Sequence, residues 1–197
     1  MSSGADPTRS PFGMQLIEIM TGIIPDKIAE FLRQHDMGDV KYKPTINALD
    51  RPSWVASRLH FAGAHLDGFV ELVVEPSVFA KALPGKAHET TDKTGKKKSV
   101  KHPLASDYVG ELTNQLAARI FREFEKYRVE IVSECPKNIA TPSFGKSCPI
   151  GELRLQIPYS TNSGDVHVFL QMRFEREVSL SRDDTKDLPK AGDIIIY

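Results

Sequence analysis

Apolar and polar positions recur along this chain with two different periods. From Pro11 to about Thr21, and again from Asp26 to His35, apolar residues return at helical spacing, with Ile28, Phe31 and Leu32 marking the second stretch. Pro25-Asp26 suits a helix opening, because a proline in the first turn loses no hydrogen bond, and Met37-Gly38 suits its close. KYKPTINALDRPS, with Pro44 and Pro52, reads as an irregular or edge-strand passage. Alternation comes next: WVASRLHFAG and DGFVELVVEP predict a β-hairpin, with Gly63 and Asp67-Gly68 as turn residues. PSVFAKAL predicts a short helix with Pro76 in its first turn.

The stretch PGKAHETTDKTGKKKSV has no core aliphatic residue before Val100 and reads as a solvated loop. A long amphipathic helix should then begin near Pro103 and run to about Tyr127. RVEIVSE predicts a strand, and Pro136 and Pro142 break the segment after it. GELRLQIPY and DVHVFLQMRFE predict a second hairpin around STNSG, and His167 and Arg173 fall on the outward positions of its last strand. This order argues for an α+β fold, a mixed or antiparallel sheet covered by helices. The domain should span residues 12–178, with a loop insertion at about 84–101. Residues 1–11 should form a disordered N-terminal tail and 179–197 a C-terminal tail.

Asp107, Glu111 and Asn114 stand out on the long helix. At about 100° per residue, Glu111 lies about 40° to one side of Asp107 and Asn114 about 20° to the other. Val109, Leu112, Leu116, Ile120 and Tyr127 cluster opposite, so one face suits a core and the other presents a carboxylate and a carboxamide one turn apart. Such residues are by default a solvated face. Two choices here also work against helix stability: Asn114 competes with the backbone in mid-helix, and Gly110 costs about 1 kcal/mol against alanine. Ala118 continues the stripe with almost no side chain. A partner could therefore approach closely at Gly110 and Ala118, although tight packing against another element would equally account for Gly110.

Composition narrows the function classes. With 197 residues, 40% of them hydrophobic, the chain can bury one core of ordinary size. Lys plus Arg equals Asp plus Glu at 26 each, so net charge argues for neither nucleic acid nor a membrane surface. No apolar run is long enough to span a bilayer, and MSSGADPTRS lacks a signal-peptide layout. Cys135 and Cys148 are too few for a disulfide framework and form no CxxC pair, which points to a cytoplasmic chain with free thiols. His60 and His65 belong to no metal-ligand pattern. Ser143, Ser147 and Cys148 lack a nucleophile elbow, and no strand leads into a glycine-rich phosphate loop. Lys96 to Lys98 read as a solvating run that could also attract an acidic partner.

The run Asp107-Tyr-Val-Gly-Glu111-Leu-Thr-Asn114 resembles the [D/S]-x3-E-x2-N motif of the CheC, CheX and FliY phosphatases of bacterial chemotaxis. Its surroundings resemble the same family over roughly residues 50–175. The upstream LHFAGAHLDGFVELVVEPSVFAKAL is similar to the family's hairpin and helix, the CPKNIATPSFG passage comes after the motif helix, and ELRLQIPYSTNSGDVHVFLQMRF resembles the final hairpin. A single motif copy favours the CheX branch over CheC, whereas the 84–101 loop and the tail depart from the compact family pattern.

The resemblance implies a CheX-like fold, a homodimer formed through the sheets, and removal of phosphate from the phosphoaspartate of a CheY-like response regulator. It implies that Glu111 docks on the regulator's active-site lysine and that Asn114 positions the attacking water. Asp107, Gly110 and Ala118 would contact the partner. The chain would need no cofactor or metal of its own, because the regulator supplies Mg2+. The alternative is a non-catalytic module of the same fold that sequesters or localises a response regulator or a flagellar switch component.

Overall fold

The computed structural model describes residues 18–35, 37–43, 54–63, 66–78, 90–91, 97–98, 103–127, 129–140, 142 and 152–174. Both expected tails lie outside these residues. So do most of the 84–101 insertion and His65, Ser143, Ser147 and Cys148.

The first helix, α1, is Ile24–Gln34, and a π-helical turn at Ile19–Ile23 runs directly into it. Pro25 lies in the first turn of α1, as expected, but the chain is already helical before it. A proline inside a helix has no N–H to donate and crowds the preceding turn. The wider turn accommodates it, with the Ile24 N–H reaching back to the Ile19 carbonyl. The Tyr159 hydroxyl donates to the Pro25 carbonyl at 2.6 Å and ties this point of the helix to the sheet.

Nine strands are present, in chain order β1 Lys41–Tyr42, β2 Val55–Gly63, β3 Leu66–Val74, β4 Thr90–Thr91, β5 Lys97–Lys98, β6 Ile131–Ser133, β7 Lys137–Ile139, β8 Glu152–Thr161 and β9 Gly164–Phe174, among the described residues. The second helix, α2, is Pro103–Glu125. In the main sheet the order is β1-β8-β9-β3-β2, and both β6 and β7 pair with the far side of β2. All its pairings are antiparallel, which resolves the open choice between a mixed and an antiparallel sheet.

Side chains alternate across each strand and so assign the two faces. Leu59 of β2 lies opposite Val70 of β3, and Val70 opposite Leu170 of β9. These residues share one core with Ile28, Phe31 and Leu32 of α1 and with Val109, Leu112, Leu116, Ile120 and Phe124 of α2. Each such side chain contributes about 1.5–3 kcal/mol when removed from water, which holds both helices on this face. Tyr127, expected in the core, is partly buried against it.

The other face carries a smaller cluster of Ala56, Val73 and Phe169, with Trp54, Phe69 and Ile139 packed against it. Glu71 is buried there and accepts from Arg58 Nε at 3.0 Å and Nη2 at 2.6 Å, while the Arg58 guanidinium lies 4.3 Å over the Phe69 ring. Such pairing is what allows a carboxylate to leave water. His167 belongs to this face but is only 2% exposed, with its ring 4.9 Å from the Trp54 ring. Its outward register position was legible, but its cover was not. Burial pushes its pKa down to about 4. Arg173 is exposed, as expected, and pairs with Asp67 at 2.9 Å.

Three local expectations are corrected and a fourth is met as far as it is described. Asp67-Gly68 lies within β3 rather than in the turn, Gly68 pairing with Phe61. PSVFAKAL begins helically with a 3-10 turn at Pro76–Val78, and its later residues lie outside the described ones. The expected solvated loop holds a small ladder, Thr90 opposite Lys98 and Thr91 opposite Lys97. Lys137–Ile139, read as a broken passage, is a strand because β2 offers it a free edge at Ala56 to Arg58. By contrast, Lys41–Tyr42 forms the expected edge strand, and the second hairpin turns tightly at Asn162-Ser163, with Gly164 at φ 148.

Candidate functional site

Helix α2 starts at Pro103, where the missing N–H costs nothing, and its apolar residues recur on the side facing β2, β3 and α1. Thr113 is the one buried hydroxyl along this side among the described residues, and its Oγ1 donates to the Val109 carbonyl at 2.7 Å. The helix is seated on the sheet by aromatic contact, the Phe121 and Phe61 rings meeting edge-on at 5.1 Å. It is held to α1 by Arg119, which donates to Gln34 Oε1 and lies 5.2 Å over the Phe31 ring. Gln34 in turn donates to Glu30 at 3.4 Å, and Glu30 pairs with Lys27 at 3.2 Å.

With the helix anchored in this way, its outer stripe is open. Asp107, Glu111, Asn114 and Ala118 are all exposed, and Gly110 is half-buried at the margin. The structure thus brings the five sequence-selected residues onto one surface. A Cβ placed on Gly110 would meet nothing within 4 Å among the described residues, so tight packing does not account for this glycine. Glu111 Oε1 accepts a hydrogen bond from Gln115 Nε2 at 2.8 Å. Asn114 makes no side-chain hydrogen bond among the described residues, leaving its carbonyl and its amide available. Gln115 and Arg119 had not been singled out. Their signal was present in the helical spacing of Glu111, Gln115 and Arg119, each one turn from the next.

This surface can orient a water through a neutral carboxamide and engage a cation through a carboxylate. It contains no nucleophile paired with a base. Among the described residues no group of three or more His, Cys, Asp or Glu side chains could hold a metal ion. His60 instead borders a shallow cleft of about 130 Å³ on the opposite sheet face, together with Asp67, Phe69, Glu152, Gln171 and Arg173. The cleft's polar groups bond to one another: Arg173 to Asp67 at 2.9 Å, and Arg154 through Gln171 to Glu152. Cys135 is an exposed free thiol. None of the described helices is long and apolar enough to cross a membrane.

No family model matches the sequence, and no curated protein matches it. Similarity appears at the level of structure. The CheX chemotaxis protein of Vibrio vulnificus superposes with a TM-score of 0.56 at 12% identity, covering 78% of this chain and 99% of that one. A chemotactic CheC-like protein of Shewanella oneidensis gives 0.55 at 12% identity, covering 80% and 99%. The complex of CheX with CheY, BeF3 and Mg2+ from Borrelia burgdorferi gives 0.53 at 15% identity, covering 78% and 97%. An antiparallel sheet with its helices on one face, matched over nearly the whole of each of these structures, gives this chain the fold of the CheX and CheC-like proteins.

Proposed function

We propose that this protein removes phosphate from the phosphoaspartate of a CheY-type receiver domain. The observation that carries the reading is the exposed pair Glu111 and Asn114, one turn apart on a helix whose other face is locked into the core. The likeness to a CheX found with CheY, BeF3 and Mg2+ supports the choice of partner.

The chemistry asks little of this chain. An acyl phosphate carries a good leaving group, because the aspartate departs as a carboxylate and needs no proton. Water oxygen attacks phosphorus, the bond from phosphorus to the carboxylate oxygen breaks, and the water's protons end on phosphate or solvent. Charge on the phosphoryl oxygens is met by the receiver's Mg2+ and lysine. What is missing is a water held in line. The Asn114 carbonyl accepts a hydrogen bond from that water without placing another negative charge beside the phosphate. Glu111 engages the receiver's active-site lysine and sets the register of docking. Gly110 and Ala118 let the partner's backbone come close, and Asp107 contacts its rim.

The functional unit in this proposal is a homodimer joined through its sheets. Scattering that reported only a particle of about 22 kDa would remove the dimer.

The deciding experiment mixes the purified chain with a phosphorylated CheY-type receiver and monitors loss of phosphate, with Asn114→Ala and Glu111→Ala in parallel. Asn114→Ala should lower the maximal rate while sparing binding, and Glu111→Ala should weaken binding as well. Dephosphorylation unchanged by Asn114→Ala would overturn the catalytic role. Binding of several receivers without acceleration would identify a sequestering module instead.

A further inference from the structure

Glu111 has a specific arrangement around it. Gln115 Nε2 donates to one carboxylate oxygen, Oε1, at 2.8 Å, while the side chain as a whole remains exposed. The neighbours one turn away on either side of Glu111 are Asp107, Tyr108, Asn114 and Gln115, none of them cationic. The next arginine along this flank, Arg119, is drawn toward α1, where it donates to Gln34 and covers the Phe31 ring. The carboxylate is therefore oriented by a neutral donor, and its charge is left uncancelled by the residues around it on the helix.

Resting on the function proposed above, we infer that Gln115 is a positioning residue for Glu111, aiming its carboxylate at the partner's lysine while leaving that charge whole. A lysine at 115 would instead form an internal ion pair, in the favoured order with the glutamate N-terminal. It would neutralise the group and repel the incoming ammonium. Methionine at 115 would keep the length and helix propensity of glutamine but supply no donor. The neutral amide is thus matched to recognition of a compact cation, and Arg119 is kept from competing by its hold on α1.

The test uses the full chain and a CheY-type receiver phosphorylated with acetyl phosphate in Mg2+, with Gln115→Met, Gln115→Lys and Glu111→Ala compared with the parent. Gln115→Met should raise the half-saturating receiver concentration about twofold, the size of a single exposed side-chain pair. Gln115→Lys should raise it about fivefold at low salt, and its ratio to the parent should shrink as ionic strength rises. Both effects should fall on half-saturation rather than on the maximal rate, with helix content unchanged. As a partner-free readout, the Gln115 side-chain amide resonances should move in Glu111→Ala. If Glu111→Ala weakens docking but both Gln115 variants match the parent, the positioning role is overturned while the function stands. If Glu111→Ala leaves docking unchanged, the docking role of Glu111 fails and this inference fails with it. A Gln115→Lys effect that equals that of Gln115→Met and ignores salt would overturn the charge argument.

Discussion

Phe61 lies directly opposite Gly68 in the β2–β3 ladder, and its ring covers the glycine while meeting Phe121 of α2 edge-on at 5.1 Å. The seat of the motif helix therefore includes a residue with no side chain. A Cβ at Gly68 would come 2.9 Å from Phe61 Cζ and would also crowd the Gln171 carbonyl. Gly68→Ala should destabilise the fold by about 1–3 kcal/mol, as overpacking does, and lower the urea midpoint. An unchanged midpoint would show that the β9 backbone at Gln171 and the Phe61 ring can both shift without cost.

Gly110 makes the opposite case. With no atom within 4 Å of its would-be Cβ among the described residues, Gly110→Ala should stabilise the protein by about 1 kcal/mol through helix propensity. The same methyl should weaken receiver docking if a partner approaches closely there. Thermal melting and receiver titration together check this, and a variant more stable and equally tight would remove Gly110 from the interface.

Asn114→Asp separates geometry from charge. The shapes are nearly equal, but the carboxylate would bring a negative charge toward the phosphoryl group. Dephosphorylation should fall at least as far as in Asn114→Ala, on the order of 100-fold for a misplaced water. Asp retaining the parent rate would mean that the residue acts as a base and not as a neutral holder of water.

His167 gives the fold a pH dependence. Burial holds its folded-state pKa near 4, below the ordinary 6.5, so between these values the unfolded chain binds more protons. Its contribution is intact above about pH 6.5 and is lost as pH falls toward 4, about 3 kcal/mol in all. His167→Gln should flatten stability over that interval in urea titrations at several pH values. An identical slope in the variant would assign the dependence to other groups.

The elements that build the site were legible because their periodicity was long and regular. Helix α2 ends within two residues of the expected Tyr127, and the hairpin strands fall where alternation placed them. What escaped was decided by contacts distant in sequence. Lys137–Ile139 is too short to carry a period and becomes a strand only because β2 has an edge to fill. Asp67-Gly68 has turn chemistry, yet the Gln171 carbonyl of β9 and the Phe61 ring of β2 crowd the position so that it needs a glycine. Pro25 marks the first turn of α1, but the π turn that runs into it leaves no mark in hydrophobic spacing. Glu111 and Asn114 were legible as an exposed pair, but the hydrogen bond aiming Glu111 required side-chain coordinates.

The far side of β2 is completed by two separate three-residue strands, β6 and β7, with Glu134, Cys135 and Pro136 between them, and the opposite end of the sheet closes with the two residues of β1. Broken in this way, the β2 border offers no long, continuous row of backbone donors and acceptors among the described residues, whereas on the other border β1 covers β8 only at Tyr159 and Ser160 and Glu152 to Ile157 form the longer row. Fibre growth needs such a row, repeated at every addition, whereas a single pairwise union can be made on a few residues. The β2 border, made in short pieces, can meet one neighbour and stop, and the open stretch of β8 is where a further strand would find a continuous partner.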